Sequence, residues 1–126
     1  MMILATACGG AFGAVLRYLT VTWAARTFGP AFPYGTMTVN VIGSLVMGMG
    51  AAYFMTRGAQ GPTPLSVFVM TGILGGFTTF SAFSLDALIL MEEGRMIAAM
   101  AYIGFSVALS IGALFIGLAL ARTVLS

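Results

Sequence analysis

Four apolar stretches, each long enough to cross a bilayer, occupy nearly all of this sequence. They run about Ile3–Ala25, Tyr34–Met55, Pro64–Met91 and Met96–Ala121, and each exceeds the roughly 20 residues needed to span about 30 Å of hydrocarbon. Between them stand short polar punctuations, Arg26-Thr27-Phe28-Gly29-Pro30, Arg57-Gly58-Ala59-Gln60-Gly61-Pro62 and Glu92-Glu93-Gly94, and Arg122 closes the last run. Charged residues make up 6% of the chain, against roughly 25% in a soluble domain, so a water-facing surface cannot be assembled. In hydrocarbon the backbone must satisfy its own hydrogen bonds, which selects helices. The expected fold is all-α and integral to the membrane, with four transmembrane helices and residues 1–126 forming one unit. The first run lacks a basic leader and continues through Ala25, so it reads as a retained helix rather than a cleaved signal peptide.

The same inventory excludes several classes of function. All five basic residues are arginines, scattered singly, and no basic run exists to follow a nucleic-acid backbone. Histidine is absent and Cys8 is the only cysteine, which removes the commonest metal ligand, the usual proton shuttle and any intrachain disulfide. No phosphate-binding loop, metal-ligand cluster or nucleophile–base pair is present, so catalysis has nothing to stand on.

Charge leaves the orientation open. Four spans put the N-terminus, the 57–62 loop and the C-terminus on one face with Arg57 and Arg122; Arg26 and Arg95 lie on the other, with Arg17 a turn or two inside. Topology follows an excess of Lys/Arg, and here the two sides nearly balance. Either copies insert both ways and pair as an antiparallel homodimer, or other factors settle a weak bias.

The third run carries the most unusual pattern. It is too long for a straight span, and Gly72-Ile73-Leu74-Gly75-Gly76-Phe77-Thr78-Thr79-Phe80-Ser81 stands at its centre. Paired glycines and β-branched threonines weaken a helix, so the sequence predicts a break near the middle, or else a kink with Thr and Ser hydroxyls bonded to the preceding turn. A broken membrane helix offers carbonyls to cations and a helix N-terminus to anions. Beyond it, Phe80 and Phe83 share a face, near the hydroxyls of Ser81 and Ser84. Such rings ordinarily pack or face lipid, but their edges are positive and attract an anion without a full counter-charge that would trap it.

Other polar residues stand inside the spans. Tyr102, Ser106 and Ser110 at i, i+4 and i+8 draw a stripe down the fourth helix, either a series of sites for a dehydrating ion or a helix–helix bonding edge. Asn40 brings a carboxamide with two donor hydrogens into the second span. Arg17 is the one base clearly within a span, and an intramembrane arginine is a functional candidate unless it snorkels. Asp86, the only acid within a span, pairs with Arg17 or sits near the interface. Gly9/Gly13, Ser44/Gly48 and Gly72/Gly76 are small-xxx-small pairs suited to close packing within the four-helix unit.

Three blocks in order, Gly9-Gly10…Gly13-Ala14…Arg17-Tyr18, Tyr34-Gly35-Thr36…Val39-Asn40…Gly43 and Gly75-Gly76-Phe77-Thr78-Thr79-Phe80-Ser81-Ala82-Phe83-Ser84, resemble the Fluc/CrcB fluoride channels over nearly the whole chain. The resemblance implies an antiparallel, dual-topology homodimer that passes fluoride passively and selectively out of the cytoplasm through two pores. It implies Phe80 and Phe83 as pore rings, Asn40 as a donor near the ion path, Tyr102, Ser106 and Ser110 as a polar track, and Thr36 and Thr79 as further lining. Arg17 matches the arginine of an aqueous vestibule. Gly75 and Thr78 match positions whose backbone carbonyls, from both subunits, hold a structural sodium ion that is not transported. The implied setting is the lipid bilayer of a prokaryotic plasma (cytoplasmic) membrane, crossed several times. Asp86 stands where family members often carry Glu, and Ala82 where Thr is common. The main rival, a small proton-coupled multidrug exporter, needs a buried acid in its first helix, where this chain has Arg17. A non-transporting helical assembly factor leaves the stripe and the break without a purpose.

Overall fold

The computed structural model describes residues 1–56 and 61–125. Arg57, counted above in the charge balance, lies outside the described residues. The described chain is helical throughout, with four apolar runs long enough to cross a membrane: α1 (Met2–Phe28), α2 (Tyr34–Thr56), a third run over Pro64–Glu92, and α6 (Met96–Leu125). The third run is composite, built from α3 (Pro64–Ser66), a π-helical stretch (Val67–Leu74), α4 (Gly75–Phe77) and α5 (Phe80–Glu92).

Termini follow local chemistry. Gly29, at φ 82°, ends α1 while its N–H still bonds the Ala25 carbonyl, so the helix passes Arg26 and stops three residues beyond the expected end. At the end of α5, Gly94 sits at φ 75°; its N–H bonds the Met91 carbonyl and that of Arg95 bonds the Leu90 carbonyl, the paired closure of a glycine-terminated helix. α6 continues past Arg122 to Leu125, where a cation in the last turn suits the helix dipole.

The third run is truly interrupted, and two residues later than its glycines suggest. Gly75 keeps helical angles (φ −63°, ψ −38°). The extended residues are Thr78 (φ −86°, ψ 158°) and Thr79 (φ −153°, ψ 124°). Thr79 then opens α5, its hydroxyl accepting from the Ala82 N–H at 3.1 Å, as an N-cap does. The alternative of back-bonded threonine is also present, since the Thr78 hydroxyl donates to the Leu74 carbonyl at 2.9 Å. That bond fastens Thr78 to the preceding turn without carrying the helix through.

The paired small residues work inside the unit. α1 lies against the π-helical stretch so closely that a Cβ on Gly9 would stand 2.9 Å from the Gly72 Cα, and one on Gly76 would stand 2.6 Å from the Gly10 carbonyl oxygen. α2 packs most extensively on α6, where a Cβ on Gly48 would come within 2.8 Å of the Leu118 nitrogen. α5 rests on α6 through Ala87, Leu90, Ala99 and Tyr102, with Phe32 and Phe83 against them. Large apolar side chains such as Trp23, Phe105 and Phe115 are exposed, as expected of helices whose surroundings are hydrocarbon.

Candidate functional site

The break opens into a cleft of about 360 Å³ walled by α2, α5 and α6. Its α2 wall is Asn40, Gly43, Ser44 and Met47; its floor is Thr78, Thr79, Phe80 and Phe83; its α6 wall is Ser106, Val107, Ser110 and Ile111. No side chain among these carries a charge.

Asn40 secures the floor. Its Nδ2 donates to the Thr79 carbonyl at 3.0 Å, and its Oδ1 accepts from the Thr79 N–H at 2.7 Å. One side chain thereby satisfies both backbone groups of the residue at the break, which hydrocarbon would otherwise leave unpaired. A carboxamide nitrogen has two hydrogens, and Thr79 takes one. Gly43, one turn along, makes room for this arrangement, since a Cβ there would run into the Thr78 methyl group.

The aromatic pair sits where the floor turns into α5. Phe80 and Phe83 have centroids 5.6 Å apart, tilted by 49°. Phe83 in turn lies 5.2 Å from the ring of Tyr102, which is fully buried. Tyr102 donates to Asp86 Oδ2 at 3.1 Å, with Thr36 beside the same phenol. Phe32 meets Tyr102 edge-on, centroids 5.5 Å apart at 90°. Asp86 therefore takes its hydrogen bond from Tyr102, while Arg17 donates through Nε to the Gly76 carbonyl at 2.9 Å; the two are not each other's partners.

The stripe on α6 is a single face. Tyr102 and Ser106 are buried and Ser110 is half-buried. Ser106 Oγ is enclosed and has no hydrogen-bond partner in the chain, so it does not serve as a bond between helices.

Of the residues singled out from sequence, Asn40, Thr78, Thr79, Phe80, Phe83, Ser106 and Ser110 meet at the cleft. Tyr102 and Thr36 are buried beneath it, and Arg17 is tied to the other side of the break. Gly75 is exposed on the first half of the broken span. Ser81 is exposed, its hydroxyl 3.4 Å from that of Thr79. Sequence reasoning missed Ser44, Met47, Val107 and Ile111 as cleft residues. Their signal was helical spacing from Asn40 and Ser106, which only becomes informative once those two are known to face each other's helix.

A neutral, donor-lined cleft on a broken membrane helix belongs with the family comparison. The profile described as CrcB-like protein, Camphor Resistance (CrcB), matches residues 4–118. This chain belongs to the CrcB family. Relatives called fluoride-specific ion channel FluC include one from Rhizobium meliloti (strain 1021), 52% identical over 120 residues, covering 95% of both chains. Another, from Rhodospirillum centenum (strain ATCC 51521 / SW), is 53% identical over 123 residues, covering 97% of this chain and 96% of that one. A third, from Rhodopseudomonas palustris (strain BisB5), is 52% identical over 116 residues, 92% of this chain and 93% of the relative. As a CrcB protein with four apolar helices the chain is a multi-pass bacterial membrane protein, and it is not an enzyme.

Proposed function

We propose that this chain forms a passive, fluoride-selective channel that lowers cytoplasmic fluoride. The observation that carries the reading is the enclosed Ser106 hydroxyl, unpartnered in a cleft with no charged wall. A buried hydroxyl without a bond is unfavourable, and a small dehydrating anion accepts from it. The remaining Asn40 hydrogen and the positive end of α5 favour the same sign of ion. The ring edges of Phe80 and Phe83 add attraction without a counter-charge, so the ion is admitted and released. Tyr102, Ser106 and Ser110 form the polar track, Thr36, Thr79 and Ser81 extend the lining, and Arg17 belongs to the vestibule side.

The working unit is an antiparallel, dual-topology homodimer with two pores. The near balance of arginines supports it, as does Phe80, which stands 78% exposed at the mouth of the cleft. A structural sodium ion at the dimer centre fits the donors that the break creates. In a continuous helix the Gly75 carbonyl would take the Thr79 N–H and the Thr78 carbonyl the Ala82 N–H. Here those hydrogens go to Asn40 Oδ1 and Thr79 Oγ1. Carbonyl oxygens of unwound membrane helices suit sodium, and Gly75 and Thr78 from two copies would hold it. The ion would supply a fixed positive charge between them.

The test is fluoride efflux from liposomes holding the purified protein. Fluoride is expected to leave rapidly and chloride to be retained. Fluoride retention equal to that of empty liposomes would overturn the reading.

A further inference from the structure

The carbonyl of Gly76 has lost its donor. An α-helical carbonyl bonds the N–H four residues on, and for Gly76 that is Phe80. The extended Thr78 and Thr79 end the first half-helix at Phe77 and start a new helix at Phe80, so the pairing is gone. The neighbouring loss, at Thr79, is repaired by Asn40 from α2. At Gly76 the repair comes from α1, where the Arg17 Nε–H reaches the carbonyl at 2.9 Å. The reach is possible because Gly76 lies against α1, where an added Cβ would stand 3.2 Å from the Ala14 nitrogen, one turn before Arg17.

We propose that Arg17 is a positioning residue for conduction, holding the broken end of the third span through its Nε–H rather than serving the ion through its charge. The proposal rests on the channel reading. Gly76 is two residues before Thr78, which lines the cleft, whereas Arg17 does not. A carbonyl without a donor in hydrocarbon draws the chain toward another arrangement. Any such shift is passed to the Thr78–Thr79 floor and to the Asn40 pair fastened to it. Arg17 therefore acts on the ion path from its far side.

The atom used makes this separable from an electrostatic role. Counting from Cα, Arg Nε is the fourth side-chain atom, and the amide nitrogen of glutamine occupies that same place. Arg17→Gln keeps an N–H at the position of the bond and removes the charge. Arg17→Lys keeps the charge and puts a methylene there. Arg17→Met removes both.

The experiment measures fluoride efflux from liposomes for all four proteins, taken from the folded peak on size exclusion, together with their thermal unfolding in detergent. Arg17→Gln is expected to conduct about fivefold or more faster than Arg17→Lys, the loss of one hydrogen bond being worth that much, and to unfold at a higher temperature. Arg17→Met is expected at or below Arg17→Lys. If Arg17→Met yields no folded protein, the Gln and Lys pair decides alone. Efflux through Arg17→Lys equal to or above that through Arg17→Gln overturns the positioning role, as does wild-type efflux in all three. A wild type that retains fluoride overturns the channel reading itself, a result visible before any variant is compared.

Discussion

On the α2 wall of the cleft, Asn40 commits its carboxamide to both backbone groups of Thr79. On the α6 wall, Ser106 is enclosed just as fully and gives its hydroxyl to nothing in the chain. Both are polar side chains within membrane helices, where an unmade bond is unfavourable. The difference separates two uses of polarity. Asn40 makes the shape of the cleft, and the cost of burying it is offset within the fold. Ser106 contributes nothing to the fold by its oxygen, so its presence is accounted for by what enters.

That contrast can be broken by substitution. Asn40→Leu should have the largest effect, because it orphans an N–H and a C=O together, each at about 1–3 kcal/mol. Fluoride efflux is expected to fall on the order of 100-fold and the unfolding temperature to fall with it; a conducting, fully stable Asn40→Leu protein would show that the carboxamide does not hold the floor. Phe83→Ile comes next. It removes ring contacts to both Phe80 and Tyr102, each worth about 1 kcal/mol, and roughly tenfold slower efflux is expected in the same assay. Ser106→Ala is the smallest and the most discriminating. It breaks no bond within the chain, so stability should change by less than about 0.5 kcal/mol, while efflux drops about fivefold for the lost hydroxyl donor. If thermal unfolding of Ser106→Ala moved as far as that of Asn40→Leu, the two walls would not differ in kind.

Much of the fold was legible because hydrocarbon leaves the backbone so few choices. Four apolar runs had to be helices, and their ends were marked by Gly29, Gly94 and scattered charge. The break was legible as a region but not as a residue. Helix propensity points to Gly75 and Gly76, yet these stay helical, and it is Thr78 and Thr79 that extend. The reason lies on another helix, since only Asn40, thirty-nine residues earlier, makes an extended Thr79 tolerable. The cleft residues Asn40, Phe80, Phe83, Ser106 and Ser110 were readable as polar or aromatic exceptions in apolar helices. The partners of Asp86 and Arg17 were not. Opposite charges suggested a pair, but Tyr102 is buried against Asp86 and a carbonyl that lost its donor lies against Arg17.

The π-helical stretch Val67–Leu74 carries a consequence for what lengths of chain this protein tolerates. An α-helix turns about 100° per residue, and a π segment holds an extra residue within an otherwise α-helical course. Deleting one residue there restores ordinary winding and leaves composition almost untouched. Everything after it would then be presented about 100° around the helix axis. Gly72 and Gly76 would no longer both face α1, and the threonines would swing away from Asn40. Between α1 and the cleft, the number of residues is thus as strictly set as their identity, and a single-residue gap does there what no single substitution can.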